Sequence, residues 1–223
     1  MNDVKVIIVA AGKGSRFGAD CPKQYCLMNG RPVLMTTIDS FRNALPEAEI
    51  IVVVSPEMHP FWNTLCEEYG YCSPRIAYGG ATRWESVRNG IAQIASCCSS
   101  TIVLVHDAAR PIVPKEMISN VVEGARVADG AIPVVPVTDS LRELTEDGSV
   151  SVDRTLFRAV QTPQGFPLGK LAEAYSRSYS PLFTDDASVM ESAGFSNIIL
   201  VEGDRRTMKI TNPYDIKIAE LML

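Results

Sequence analysis

The chain has 223 residues, of which 46% are hydrophobic and 21% charged, with a formal net charge of −5 at pH 7. This composition excludes a disordered or fibrous chain, and an acidic balance is atypical of a general nucleic-acid binder. No apolar run approaches the roughly 20 residues of a membrane helix, and no secretory signal opens the sequence. The six cysteines form no C-x-x-C pair, so reduced thiols are expected. We therefore expect one domain over residues 1–223, in the cytoplasm, with neither a membrane nor nucleic acid as partner.

Five short hydrophobic runs predict β-strands, and they alternate along the chain with helical patterns. The runs lack polar alternation, which is typical of strands covered on both faces in a parallel sheet. They are Val4–Ala10, Ile50–Val54, Thr101–Val105, Ala131–Val137 and Asn197–Val201. The helical patterns are Pro32 to Asn43, Glu57–Tyr69, Val87–Ala95, Pro114–Ala128, Pro167–Tyr179, Asp185–Ala193 and Pro213 to Leu223. This order predicts an α/β fold with a mostly parallel, mixed sheet flanked by helices.

The segment from Thr138 to Val152 interrupts this alternation because it is polar and has Asp147-Gly148 at its centre, a strong hairpin-turn signal. Two strands flanking that turn contain few apolar residues, and an isolated two-stranded ribbon is marginally stable in water. We predict a protruding β-hairpin arm over residues 138–156 that a second copy of the chain covers in a homodimer. The alternative is a simple surface hairpin.

A glycine-rich turn follows the first predicted strand, over Ala10–Gly18. Such a turn lets backbone N–H groups approach phosphate oxygens. Its spacing, G-x-G-x-x-x-G, differs from both the dinucleotide-binding fingerprint and the P-loop. Between Gly12 and Tyr25, Lys13, Arg16 and Lys23 face only one acidic residue, Asp20. The local excess of positive charge favours a polyanionic ligand such as a nucleoside triphosphate over a merely solvated loop.

Six motifs carry a family resemblance, and they occur in the family's order along the chain. They are AAGKGSRFG with PKQY, GGATRWESV, VHDAARP, DRTLFRAVQTPQGF, TDDASVME and MKIT. Over Val6 to Leu223 the sequence resembles the 2-C-methyl-D-erythritol 4-phosphate cytidylyltransferase family. The resemblance implies a Rossmann-like fold of the nucleotide-diphospho-sugar transferase type. It also implies transfer of the cytidylyl group of CTP to 2-C-methyl-D-erythritol 4-phosphate, with release of pyrophosphate, in non-mevalonate isoprenoid biosynthesis.

The resemblance assigns the nucleotide site to three segments. Arg16 and Lys23 match the cations that stabilise the transition state at the α-phosphorus. The backbone of the glycine turn would hold CTP at Ala10, Ala11, Gly12 and Gly14. The cytosine would be read by Gly79, Gly80, Ala81, Thr82, Arg83 and Ser86. At Ala81 some relatives carry an acidic residue, so only a backbone role is expected there. Independently of any ligand, Thr82 and Glu85 are predicted to form a helix capping box.

A third segment, after the strand Thr101–Val105, is expected near the ribose and a metal ion. By resemblance Asp107 and Ala108 lie there. Mg²⁺ is the expected cofactor because triphosphate chemistry generally needs a hard cation, and Mg²⁺ often takes one protein carboxylate. Asp107 is its candidate ligand, and a plain loop or helix-capping role is the alternative. His106 would point to the opposite face of the strand, so no catalytic role is expected for it.

The second substrate, by the same resemblance, is gripped by residues from both copies of a dimer. The partner's arm would contribute Ser140, where threonine is commoner in relatives, and Arg154. The matching positions within the chain itself are Arg110 and Lys209, whose charge would bring the incoming phosphate to the α-phosphorus. Asp185 and Asp186 look like helix N-terminal residues and are left outside the site.

Two other functions fit part of this pattern. A ribitol-5-phosphate cytidylyltransferase shares the glycine turn and the QTPQ stretch, but residues 152–158 and 184–188 look more like the isoprenoid enzyme. A catalytically silent nucleotide-binding protein is the other alternative. It would be expected to have lost at least one of the charged site residues, namely Arg16, Lys23, Asp107, Arg154 and Lys209, all of which are present.

Overall fold

The computed structural model describes residues 3–12, 21–94 and 98–223. A mixed β-sheet lies at the centre of the fold. Within these residues the strands are β1 Val4–Val9, β2 Leu27–Met28, β3 Arg31–Pro32, β4 Glu49–Val54, β5 Arg75–Tyr78, β6 Ile102–Asp107, β7 Gly130–Pro136, β8 Arg142–Thr145, β9 Gly148–Ser151, β10 Arg158–Val160, β11 Gln164–Pro167 and β12 Ile198–Glu202. The helices are α1 Val33–Ala44, α2 His59–Glu68, α3 Arg83–Ile91, α4 Lys115–Val127, α5 Leu168–Tyr175, α6 Asp186–Ser192 and α7 Pro213–Glu220.

The sheet has the order β10-β7-β11-β6-β1-β4-β5, and β12 pairs with β7 beside this path. Strands β5, β4, β1 and β6 run parallel to one another, and β12 is parallel to β7. Strand β11 lies antiparallel between β6 and β7, and β10 pairs antiparallel with β7. The predicted α/β fold with a mostly parallel, mixed sheet is confirmed.

Each face of the sheet is covered by helices, because successive side chains of a strand point to opposite faces. Even-numbered residues such as Ile8, Val52 and Leu104 pack with α1, α2 and α4. Odd-numbered residues such as Val53 and Val105 pack with α3, α5 and α6. This double coverage explains the unbroken hydrophobic runs of the sequence. Among the helices in the described ranges, none combines the length and hydrophobicity needed to cross a bilayer.

All five predicted strands are present within two residues of their expected bounds, whereas β2, β3, β5, β10 and β11 were not predicted. Strand β11 has the sequence QGFP, and glycine and proline are depleted in strands. Its position depends on pairing with β6 and β7, which lie far away in sequence. Local pattern therefore carries no signal for it.

The predicted hairpin exists as β8 and β9, which pair only with each other in the described part of the chain. Its turn differs by one residue from the prediction. Thr145 pairs with Gly148, so the connection is Glu146-Asp147 and Gly148, at φ 142°, begins β9. Leu144 on this ribbon is 84% exposed, and Leu156 just after it is 80% exposed. The arm thus presents apolar side chains that the chain itself does not cover.

Candidate active site

A cavity of about 710 Å³ opens where β1 and β6 end at the carboxyl edge of the sheet. Its volume lies in the range of small-molecule sites, and this edge is where ligands of open α/β sheets bind. Several residues predicted from the sequence line it together: Ala10, Ala11, Gly12, Lys23, Gly80, Ala81, Thr82, Arg83, Ser86, Asp107, Ala108 and Lys209. Gly14 and Arg16 lie outside the described residues.

One wall of the cavity is the start of the glycine turn, which Gln24 stabilises through hydrogen bonds. The Gln24 amide donates hydrogen bonds to the carbonyl oxygens of Ala10, at 2.7 Å, and Gly12, at 3.0 Å. Gln24 is buried, which makes these bonds stronger than they would be in water. Sequence reasoning missed this role, although Gln24 is the one neutral amide beside Lys23. The bond pair ties the glycine turn to the segment that carries Lys23.

The opposite wall is the turn between β5 and α3, and its predicted capping box is confirmed. The Thr82 hydroxyl accepts a hydrogen bond from the Glu85 amide at 3.1 Å, and the Glu85 carboxylate accepts from the Thr82 and Ala81 amides. The Ser86 hydroxyl accepts from the Gly80 amide and donates to the Thr82 carbonyl oxygen. Ser86 therefore shapes the turn whose backbone faces the cavity.

The floor of the cavity is a compact charge cluster around Asp107, the last residue of β6. One carboxylate oxygen lies 2.8 Å from Nζ of Lys209 and 3.6 Å from Nε of Arg110; the other lies 3.3 Å from Nε of Arg83. Burial alone would raise the pKa of Asp107, but these cations hold it well below its usual range. Asp107 is therefore ionised, and it fixes two cavity cations, Lys209 and Arg83.

Arg83 connects this cluster to a carboxylate that sequence reasoning left out of the site. Its two terminal nitrogens lie 2.9 and 2.7 Å from the two carboxylate oxygens of Asp186. Asp185 caps α6, as expected, by accepting from the Ser188 amide. The adjacent Asp186 instead turns inward and is wholly buried. Two consecutive aspartates at the start of a helix are the sequence signal for this arrangement. One aspartate is enough to cap the helix, so the other is available to pair with a cation.

Arg110 does not line the cavity, although the resemblance places it near the second substrate. Its Nη1 donates to the carbonyl oxygen of Thr207 at 2.8 Å, and its Nε faces Asp107. Most of the side chain is buried, and burial lowers the pKa of Arg110. Among the described residues, Asp107 is the cavity-lining side chain that Arg110 contacts.

His106 faces away from the cavity, as the alternation of the strand predicts. It is fully buried and packs edge-on against Phe41, with ring centroids 4.8 Å apart. Its ring nitrogens lie 3.0 Å from the Thr162 hydroxyl and 3.0 Å from the Arg110 carbonyl oxygen. Burial lowers the pKa of His106 to about 4, so the ring is neutral at pH 7.

The two arm residues of the predicted site lie away from the cavity of their own chain. Ser140 and Arg154 are exposed, and neither lines the cavity. The Arg154 guanidinium donates to the Thr138 carbonyl oxygen at the base of the arm. The described residues of one chain thus form the cavity without Ser140 and Arg154.

The residues at Asp107 fit a single-carboxylate site for Mg²⁺. Among the described residues there is no cluster of three or more histidine, cysteine, aspartate or glutamate side chains able to hold a metal. Asp107 is an ionised oxygen donor at the cavity surface, and its side chain is 12% exposed. Mg²⁺ commonly takes one or two carboxylates and completes its shell with water and substrate phosphates.

Comparison with known proteins agrees with the motifs. The family model of 2-C-methyl-D-erythritol 4-phosphate cytidylyltransferase matches residues 4–223. The enzyme of that name from Bacteroides thetaiotaomicron is 45% identical over 219 residues, and that from Phocaeicola vulgatus is 43% identical; each alignment covers 98% of both chains.

Solved structures give the same result. A crystal structure of 2-C-methyl-D-erythritol 4-phosphate cytidylyltransferase from Thermus thermophilus matches with a TM-score of 0.76 and 34% identity, covering 98% of both chains. The Francisella tularensis enzyme matches with a TM-score of 0.81 and 32% identity, covering 99% of both chains. The similarity therefore extends over nearly the whole chain.

Proposed function

Because the chain belongs to the 2-C-methyl-D-erythritol 4-phosphate cytidylyltransferase family, we propose that its cavity is where CTP reacts with 2-C-methyl-D-erythritol 4-phosphate. The chain is a nucleotidyltransferase of isoprenoid biosynthesis, and the products are 4-(cytidine 5′-diphospho)-2-C-methyl-D-erythritol and pyrophosphate. The observation that supports this location is the convergence of the glycine turn, the turn before α3, Lys23 and Lys209 on one cavity.

The reaction is an in-line displacement at phosphorus. An oxygen of the substrate phosphate attacks the α-phosphorus of CTP, the bond from that phosphorus to the bridging oxygen breaks, and pyrophosphate leaves with the electron pair. The attacking phosphate is already anionic, so no general base is required. Catalysis then consists of holding two anions together and stabilising the negative charge that builds in the transition state.

The nucleotide roles follow the walls of the cavity. Arg16 and Lys23 stabilise charge at the α-phosphorus, and loss of one such cation typically lowers the rate about 10²- to 10³-fold. The triphosphate rests on the backbone of the glycine turn at Ala11, Gly12 and Gly14. Ala10 borders the nucleotide without donating to it, because its N–H donates to the carbonyl oxygen of Val53 at 2.7 Å. The base lies against Gly80, Ala81 and Ser86, and the ribose against Asp107 and Ala108.

The second substrate is held by Lys209, whose ammonium group is fixed by Asp107, and Arg110 supports this arrangement through the same carboxylate. Mg²⁺ would be held chiefly by triphosphate oxygens, whose charge it neutralises when bound. It would share the Asp107 carboxylate with Arg83 and Lys209, since each carboxylate oxygen has two lone pairs. Electrostatic attraction from the fixed cations offsets the repulsion between the two phosphates.

The working form is a homodimer of single-domain chains in which residues 138–156 form the dimerisation arm. The exposed Leu144 and Leu156 support an apolar contact with a second chain. That contact brings Ser140 and Arg154 to the partner's cavity, where an arginine fork suits a phosphate group. The cytoplasm is the proposed location, since free thiols such as those of Cys21 and Cys26 suit a reducing compartment.

A substrate panel tests the function. The purified full chain is incubated with Mg²⁺ and one nucleoside triphosphate, with either 2-C-methyl-D-erythritol 4-phosphate or ribitol 5-phosphate, and pyrophosphate release is measured. We expect release only with CTP and the methylerythritol substrate together, and none from CTP alone. Preference for ribitol 5-phosphate would identify the sister activity. Binding of CTP without release under any condition would identify a silent nucleotide-binding protein.

A further inference from the structure

Arg83 contacts two carboxylates, those of Asp186 and Asp107, with different geometries. Toward Asp186 it makes two parallel hydrogen bonds from its terminal nitrogens, at 2.9 and 2.7 Å. Toward Asp107 it makes one contact from Nε, at 3.3 Å. A two-point contact fixes the plane of a guanidinium group, whereas a one-point contact does not. The orientation of Arg83 is therefore set by Asp186.

Asp186 is itself held in place from the protein interior. It is 0% exposed, and the Tyr175 hydroxyl, at the end of α5, donates to one of its oxygens at 2.6 Å. A buried carboxylate is unfavourable unless it is paired and hydrogen-bonded. The helix cap does not use it, because Asp185 supplies the cap. Arg83 and Tyr175 thus account for the position of the Asp186 carboxylate.

The arrangement continues to the cavity through Asp107. While Arg83 occupies one oxygen of Asp107, the other oxygen binds Nζ of Lys209 at 2.8 Å. An Arg83 released from Asp186 would be free to turn its two terminal nitrogens onto Asp107 and cover both oxygens. Lys209 would then lose the contact that fixes its ammonium group in the cavity.

We propose that Asp186, supported by Tyr175, is a positioning residue for the second substrate. It restricts Arg83 to one oxygen of Asp107 and so leaves the other oxygen accessible to Lys209. This inference rests on the proposed function, in which Lys209 holds the incoming phosphate. Asp186 does not touch the cavity, and its effect reaches the substrate only through Arg83, Asp107 and Lys209.

A double-mutant cycle measures this dependence. For Asp186→Asn we expect kcat/KM for 2-C-methyl-D-erythritol 4-phosphate to fall about tenfold or more. KM for CTP should change by a smaller factor, because CTP keeps its contacts with the glycine turn and Lys23, which line the same cavity. Because Asp186 acts through Arg83, the double variant Asp186→Asn/Arg83→Gln should be no slower than Arg83→Gln alone. The matched control is Asp185→Asn, which makes the same change one residue earlier and retains a good helix-capping residue. It loses the hydrogen bond that Gln164 donates to Asp185 but leaves Arg83 and Asp186 paired, so its kinetics should stay within about twofold of the parent.

A milder variant keeps the test decisive if Asp186→Asn does not fold. Tyr175→Phe removes one hydrogen bond to Asp186 and should lower the same kcat/KM by about two- to fivefold. Independent, multiplying effects of the Asp186 and Arg83 changes would overturn the proposal. So would a Tyr175→Phe variant with parental kinetics, or an effect seen equally in Asp185→Asn.

A second measurement does not depend on turnover and separates this inference from the proposed function. Acetylation of Lys209 by acetic anhydride, followed by peptide mass spectrometry, reports how firmly its ammonium group is held. We expect Lys209 to react faster in Asp186→Asn, or in Tyr175→Phe, than in the parent and in Asp185→Asn. Equal rates in all of these proteins would overturn the proposal even if the parent enzyme is fully active.

Discussion

Neighbouring residues at the end of β6 differ completely in environment. The side chain of Asp107 reaches the cavity, where cations keep it ionised. That of His106 lies in the core, where burial keeps it neutral. The alternation of the strand is sufficient to predict this division from the sequence. The partners of Asp107 could not be predicted, because Arg83 and Lys209 reach it from distant parts of the chain.

The buried histidine predicts a dependence of stability on pH. The pKa of His106 is lowered to about 4 in the folded protein, against about 6.5 when unfolded. The unfolded chain therefore binds a proton first as pH falls. Stability is complete above the unfolded pKa and is lost as pH falls toward the folded one. This group should lower the free energy of unfolding by about 2 kcal/mol between pH 7 and pH 5.

Urea denaturation at both pH values measures this effect. His106→Gln should lose that part of the pH dependence. His59→Gln, which removes the other of the two histidines, is the matched control and should keep it. A parental pH dependence in His106→Gln would show that the loss comes from other groups.

At the scale of elements, the turn before α3 requires a glycine for close approach. A side chain at Gly79 would place its Cβ 2.3 Å from Cβ of Ala11 and 3.0 Å from Oγ of Ser86. The turn before α3 and the glycine turn therefore approach each other so closely at Gly79 and Ala11 that a methyl group on Gly79 does not fit. By contrast, a Cβ at Gly12 would have no heavy atom of the described residues within 4 Å, and Gly12 lines the cavity.

These two glycines predict opposite results for the same substitution. Gly79→Ala should lower the free energy of unfolding by about 1–3 kcal/mol, because the walls must separate. Gly12→Ala should change it by less than about 1 kcal/mol but weaken CTP binding, since its methyl group projects where the triphosphate approaches. Chemical denaturation and calorimetry of CTP binding measure the pair. A Gly79→Ala protein as stable as the parent would contradict the close approach.

Contacts within one helical turn could be predicted from the sequence, whereas contacts between distant elements could not. The capping box of α3 was predicted because Thr82 and Glu85 contact each other within one turn. The inward turn of Asp186 could not be predicted, since its partner Arg83 lies 103 residues earlier. The bond of Arg110 to Thr207 spans 97 residues and is equally invisible to local pattern. Motifs thus indicated many of the residues that line the cavity, while long-range contacts decided which of their side chains reach it.

At the scale of the whole molecule, the cavity and the arm belong to different parts of the chain. Lys23 and Lys209 line one cavity although they come from opposite ends of the sequence. Arg154, on the arm, lies away from that cavity. The proposed mechanism requires the arm of one protomer to complete the cavity of the other. The dimer is therefore part of the catalytic account, and it predicts a specific behaviour of mixed protomers.

Mixing two inactive variants tests this account most directly. Lys23→Ala and Arg154→Ala homodimers should each release pyrophosphate about 10²-fold or more slowly than the parent while folding normally. After dissociation and reassembly of an equal mixture, one site of each mixed dimer has neither defect. About a quarter of all sites, and of the parental rate, should then be recovered. A Lys23→Ala and Lys209→Ala mixture is the control and should recover nothing, because both residues serve the cavity of their own chain. Failure of the first mixture to recover activity, or a parental rate in the Lys23→Ala homodimer, would contradict the account.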